Sequence, residues 1–233
     1  LSYGLGYLGL SLIQEGGLQT IDWSVYSWLF FNVIFTLLAF PLVPLLERVF
    51  GFFTSPLTLM ELSDLNKPLL QELALKAPGT LQHSLQVANL SEAAARRVGA
   101  DPLLIKVAAL YHDIGKTEQP AYYIENQSGK NPHDDINALE SAKIIIAHVT
   151  EGVKMANKAK LPKVLIDFIK SHHGTTRVEY FYRKHLAANP EHNFDETLFV
   201  YPGPLPKSKE ETILMMADSV EAACKSLKNP TEE

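Results

Sequence analysis

From Trp23 to Leu46 the sequence runs WSVYSWLFFNVIFTLLAFPLVPLL, 24 residues without one charge. About 20 predominantly apolar residues cross a bilayer as a helix, so residues 23–46 are predicted to form a transmembrane helix. A soluble helix of this length carries a polar stripe, and this one has none. Trp23, Tyr26 and Trp28 suit one membrane interface, where amphipathic rings collect. Pro41 and Pro44 predict a kink or the helix end near the other. Leu1 to Ile13 is apolar and glycine-rich but too short to span alone. Residues 1–22 therefore read as the end of an earlier membrane segment and a short extracytoplasmic loop. A start inside an apolar run reads as a piece of a longer protein.

Past residue 46 the pattern changes. Residues 47–79 form a juxtamembrane connector broken at Pro56 and Pro68. After Pro78-Gly79 the periodicity is helical almost throughout. It predicts helices over Thr80–Val98 and Pro102–Asp113, the second ended by Gly115. A polar loop over 117–136 follows, and then Asn137 with Glu140 reads as a capping box for a helix through His148. Pro162 opens a helix ending at His172-His173-Gly174. Residues 175–209 read as loop-rich, and a last helix runs from about Lys209 to Leu227. No segment reads as a strand. The fold class is all-α: a transmembrane helix followed by a helical bundle over residues 80–233.

Charge sharpens the division. All 21 Lys and Arg residues lie at or after Arg48. Positive residues favour the cytoplasmic side, which orients everything after residue 47 into the cytoplasm and places the chain in the cytoplasmic membrane. A net charge of −5 argues against a protein that coats a nucleic-acid polymer. The single cysteine, Cys224, excludes a disulfide scaffold and a cysteine-cluster zinc site.

The histidines carry the chemistry. His112 and Asp113 are adjacent at the end of the apolar run LLIKVAALYHDIGK. Neighbours on a helix diverge by about 100°, so both reach one ion only where the helix breaks. His172 and His173 form a second adjacent pair before a glycine. His83 falls on the preceding helix, His148 faces the core side of another, and Asp218 lies among apolar neighbours that would make an unpaired carboxylate costly. Five histidines and two aspartates exceed what one ion needs. Two ions sharing a carboxylate suit them, and such a pair stabilises both the attacking and leaving oxygens of a phosphoryl centre. Without thiolates, iron, manganese or cobalt fits better than sulfur-bound zinc. Lys116, in HDIGK, either holds a phosphate oxygen and assists the leaving group or sits solvated at a helix C-terminus. Arg177, Tyr180, Phe181, Tyr182 and Arg183 follow the paired histidines. Arginines fit phosphates and aromatic faces stack on bases, so Arg177 and Tyr182 are candidate substrate contacts. Asn126, Gln127 and His133 could rim such a pocket, whereas His185 and His192 read as solvated.

HDIGK with His83, His148, His172-His173 and Asp218 resembles the HD-domain phosphohydrolases. LMELSDLNKPLL, APGTLQHS, IENQSGKNPHD, SHHGTT, YFYRK, YPGP and MMADSVEAA are similar to the branch with seven transmembrane helices and an intracellular HD domain. The resemblance implies that His83, His112, Asp113 and Asp218 hold one metal ion. It gives the second, iron or manganese like the first, to His148, His172 and His173, with Asp113 bridging. It implies a membrane-anchored phosphodiesterase that opens cyclic di-AMP to pApA, with Asp113 and Lys116 as catalytic residues and Lys116, Arg177 and Tyr182 on the substrate. A homodimer is compatible with it. The text after His173, GTTRVEYFYRK, lacks the GYP element of the branch that cleaves cyclic di-GMP. A receptor module that binds a nucleotide without turnover, or a phosphohydrolase of another nucleotide, is the alternative.

Overall fold

The computed structural model describes residues 2–15, 22–50, 56–189 and 194–226. The chain divides into two compact units, Leu1–Ser55 and Pro56–Glu233.

The first unit holds α1 (Ser2–Glu15) and α2 (Trp23–Phe50). Within α2, Trp23–Leu42 is long and apolar enough to cross a membrane by length and composition. Its two central polar residues bond their own helix, Asn32 Nδ2 to the Trp28 carbonyl and Thr36 Oγ1 to the Asn32 carbonyl. Polar groups satisfied this way are tolerated in an apolar surround. The Tyr26 hydroxyl donates to the Gly4 carbonyl at 3.1 Å, tying α1 to α2. Pro41 and Pro44 do not end the helix, which continues to Phe50. A proline removes one ladder hydrogen bond, and the leucines that follow resume the helix.

The second unit is helical: α3 (Pro56–Leu62), α4 (Pro68–Lys76), α5 (Pro78–Val98), α6 (Pro102–Tyr111), α7 (Ala138–Lys158), α8 (Lys163–Ser171), α9 (Glu179–Ala188) and α10 (Lys209–Ser226). Pro56, Pro68, Pro78 and Pro102 each stand at the first residue of a helix, where a missing N–H costs nothing. The connector's prolines therefore open helices rather than interrupt them. Asp101 caps α6 by accepting from the Leu103 and Leu104 amides, and Asn137 caps α7 by accepting from the Glu140 amide. Among the described residues the only β pairing is an isolated bridge between Arg177 and Val200.

The main core gathers Leu70, Leu73, Val87, Ile105, Phe168 and Leu214 from α4, α5, α6, α8 and α10. A smaller cluster joins Ala138 and Ala142 of α7 to Phe181 and Tyr182 of α9 and to Phe199. α9 lies inside the stretch expected to be loop-rich. Its sequence has only a weak apolar stripe, and packing on α7 supplies what periodicity did not advertise. The loop 117–136 likewise contains three short 3₁₀ turns, over Pro120–Tyr122, Ile124–Asn126 and Pro132–Asp134.

One contact sets the site. α6 stops at Tyr111, two residues before its expected end, and a 3₁₀ turn follows over Ile114–Glu118. A Cβ on Gly115 would sit 1.9 Å from the His148 carbonyl oxygen and 2.5 Å from the Gly152 nitrogen. No other residue lets α7 approach this closely. The approach brings His148 beside the His112-Asp113 pair.

Candidate metal centre

His83 comes from α5, His112 and Asp113 from the break after α6, His148 from α7, His172 and His173 from the end of α8, and Asp218 from α10. All seven converge. The ligand atoms of His83, His112 and Asp113 lie within 4.8 Å of one another, and so do those of His148, His172 and His173. Asp113 faces both sets. Its Oδ2 lies 3.2 Å from His112 Nε2 and 3.6 Å from His83 Nε2. Its Oδ1 lies 3.3 Å from His148 Nε2 and 3.7 Å from His172 Nε2. Asp218 also straddles the pair, with Oδ1 3.0 Å from His83 Nε2 and Oδ2 3.8 Å from His173 Nδ1.

Three rings are aimed by one device. Nδ1 of His112, His148 and His172 lies 2.7, 2.5 and 2.8 Å from the carbonyl three residues earlier, those of Ala109, Ile145 and Ile169. A carbonyl only accepts, so Nδ1 carries the proton and Nε2 points at the centre. His83 instead sets Nδ1 against Glu221 Oε2 at 2.7 Å. His173 stacks on Tyr201 with ring centroids 4.2 Å apart.

The donor set fits a pair of divalent cations. His148 and His172 point their Nε2 atoms at each other across 3.1 Å while both Nδ1 protons are committed to carbonyls. Two lone pairs so placed call for a cation between them. His112 Nε2 and Asp113 Oδ1 are buried without a well-formed hydrogen bond. Nitrogen and oxygen donors with no sulfur suit a borderline transition metal.

Electrostatics agree. Burial would raise the Asp113 pKa, but His112 and Lys116 outweigh it and hold the carboxyl well below the usual carboxylate range. Burial likewise acts against Asp218, and the hydrogen bond from His83 with the charge of His112 keeps it low. Burial alone would lower His112, yet Asp113 beside it lifts the imidazole to about 9. Burial pushes His148 down to about 3 and His173 well below its ordinary value. Lys116 remains cationic despite its burial, because Asp113 at 2.7 Å and Glu125 at 3.0 Å raise its pKa.

A cavity of about 350 Å³ opens over the centre, lined among others by Lys116, Tyr123, Ile124, Ile145, Tyr201 and Asp218. Arg177 and Tyr182, expected on the substrate, are not among its lining residues. The Arg177 guanidinium lies 3.6 Å over the Tyr182 ring, and both bond Glu196. Asn126, Gln127 and His133 do not rim the cavity either: Asn126 bonds Thr80, Gln127 bonds Asn131, and His133 Nε2 meets the Tyr122 carbonyl. His185 is half-buried against Phe194 and Phe199 rather than solvated, and His192 lies outside the described residues. The sequence reading missed Glu125, Tyr201 and Glu221. Glu221 had a signal, three residues after Asp218 on one helix, whereas Tyr201 and Glu125 reach the site through loops that periodicity does not describe.

Residues 80–223 match the HD domain family. The chain belongs to that family. It is 44% identical over 231 residues to the cyclic-di-AMP phosphodiesterase PgpH of Bacillus subtilis, covering 97% of this chain and 32% of the relative. It is 45% identical over 190 residues to the protein of that name from Listeria monocytogenes, covering 81% of this chain and 26% of the relative. The HD chain thus spans a third or less of these relatives' length. The crystal structure of the L. monocytogenes PgpH HD domain in complex with cyclic-di-AMP superposes with a TM-score of 0.69 at 45% identity, over 72% of this chain and 78% of that one.

Proposed function

We propose that this HD domain is the catalytic part of a membrane-anchored phosphodiesterase that hydrolyses cyclic di-AMP to pApA. The observation that carries the reading is the position of Asp113, one oxygen on each of two adjoining histidine sets, beneath a cavity that also contains Lys116. The likeness to a solved HD domain complexed with cyclic-di-AMP supports the substrate. His83, His112, Asp113 and Asp218 would hold one divalent ion, iron or manganese, and His148, His172 and His173 the other. Bound there, two such ions supply Lewis acidity toward a phosphodiester and lower the pKa of water.

The chain's own residues do the rest. The histidine rings are set before substrate arrives, each held by a carbonyl, a carboxylate or a stacked ring. Lys116, fixed between Asp113 and Glu125, presents a positive charge to the cavity and offsets negative charge on a phosphate oxygen as the P–O3′ bond breaks. Water adds to phosphorus, the ribose O3′ leaves and takes a proton, and a linear dinucleotide with a 5′-phosphate results. The apolar helix Trp23–Leu42 would anchor the chain in the bilayer, with the basic residues after Arg48 on the cytoplasmic side.

The test is incubation of the full chain in detergent with Mn²⁺ or Fe²⁺ and a panel of cyclic dinucleotides, resolving products by chromatography. Conversion of cyclic di-AMP to pApA is expected. Binding without product in either metal would establish a receptor instead, and preference for another nucleotide would retain the site and change the substrate.

A further inference from the structure

His83 differs from His112, the other ring of its half-centre. His112 is clipped by a carbonyl of its own helix, but the nitrogen of His83 that faces away from the centre meets a side chain 138 residues distant. That side chain, Glu221, is only 9% exposed, and its Oε2 lies 2.7 Å from His83 Nδ1. Its Oε1 meets Lys225 Nζ at 2.5 Å. Asp218, Glu221 and Lys225 follow one another at three and four residues along α10, so they share one face. From that face Asp218 reaches His83 Nε2 while Glu221 reaches Nδ1, and the ring is gripped at both nitrogens.

An acidic group this far inside needs a reason. Its cationic partner, Lys225, is half-exposed and would be satisfied equally well at the surface. The contact with His83 supplies the reason. A carboxylate accepts only, so it keeps a proton on Nδ1 and leaves Nε2 to exchange its contact with Asp218 for an ion.

We propose that Glu221 is a positioning residue that fixes the His83 imidazole with Nε2 aimed at Asp113 and Asp218, and that Lys225 in turn holds Glu221. The inference rests on His83 being a metal ligand but not on the identity of the substrate.

The test is a calorimetric titration of Mn²⁺ into the chelator-stripped full chain in detergent. Partners of this kind set metal affinity by about 10–100-fold. Glu221→Ala is expected to weaken one of two binding events by that factor, with the thermal midpoint of the stripped protein showing that the fold survives. Glu221→Gln retains an acceptor for the Nδ1 proton and is expected to recover affinity to within about threefold of wild type. His83→Ala serves as the reference for loss of the ligand itself. If Glu221→Ala binds like wild type while His83→Ala does not, the positioning role is overturned and the metal centre stands. A Glu221→Gln variant as weak as Glu221→Ala would overturn it too, since charge and not hydrogen bonding would then matter. If His83→Ala binds two ions like wild type, His83 is no ligand, and the centre's reading fails together with Glu221's role.

Discussion

The two halves of the metal centre are held in different ways. In the half made by His148, His172 and His173, two rings are fixed by carbonyls of their own helices, and the third leans on Tyr201. That half is assembled from α7 and α8, adjacent helices whose ligands are 24 residues apart. In the half made by His83, His112 and Asp113, only His112 has a local clip. His83 depends on Asp218 and Glu221, which arrive from α10 across more than a hundred residues. One half is completed by neighbouring helices and the other by closure of the whole bundle. Loss of α10 packing therefore strikes the His83 half first.

Asp113 joins the halves, and its removal breaks the comparison altogether. Asp113→Ala is expected to lower turnover of cyclic di-AMP by on the order of 10³-fold or more, because several kcal/mol of transition-state charge stabilisation depend on both ions. Retained turnover with metal supplied would overturn the scheme. Gly115→Ala comes next, and it separates α7 from the 3₁₀ turn. Overpacking against backbone costs about 3 kcal/mol or more, which for a domain of this size lowers Tm by roughly 6–12 °C. Calorimetry should show the His148 half losing affinity with it; an unchanged Tm would mean the close approach has no importance.

The third test uses pH and distinguishes the halves directly. In the stripped protein His112 is raised to about 9 and His148 lowered to about 3. A raised histidine stabilises the fold fully below its unfolded pKa of 6.5, and that contribution is lost as pH rises toward 9. Tm of the stripped protein should therefore decline over that window. Metal affinity at the His83 half should climb by about tenfold per pH unit over the same range, as the His112 proton becomes easier to displace. His148 and His173, kept neutral by burial, should contribute no such slope to their half. Equal slopes in both halves would refute the assignment.

Smaller effects follow at the periphery. Tyr201→Ala removes a ring stack worth about 1 kcal/mol and should weaken the His173 side by several-fold, while Tyr201→Phe should not. Equal losses in the two variants would point to the hydroxyl. Tyr182→Phe removes the bond to Glu196 and should cost about 1 kcal/mol of stability without altering metal stoichiometry. A specific rise in KM for the dinucleotide would return Tyr182 to the substrate.

What the sequence made legible divides along the same line as the two halves. Local signals were readable: the cap at Asn137, the prolines, the paired histidines before Gly174, and the uncharged run of α2 follow from neighbours in the chain. The seven candidate ligands stood out as a set, from two adjacent pairs at helix ends, two further histidines on helices and an aspartate among apolar neighbours. α9 was hidden because packing on α7, not its own periodicity, holds it in place. Arg177 and Tyr182 have the chemistry of a nucleotide contact, yet the cation–π stack and Glu196 satisfy them elsewhere. Residue type gives what a side chain can do; only the fold gives what is left for it to meet. Glu221 lay between, its spacing from Asp218 visible and its target on α5 not.

The carbonyl clips on His112, His148 and His172 have a thermodynamic consequence. A side chain immobilised on binding costs about 0.5–1.5 kcal/mol of rotamer entropy. Here three rings give up that freedom when their helices form, before any ion arrives. Capture and release of metal then change the charge and proton count of the centre far more than its shape. A centre set in this way would exchange its ions from a folded bundle, without local unfolding.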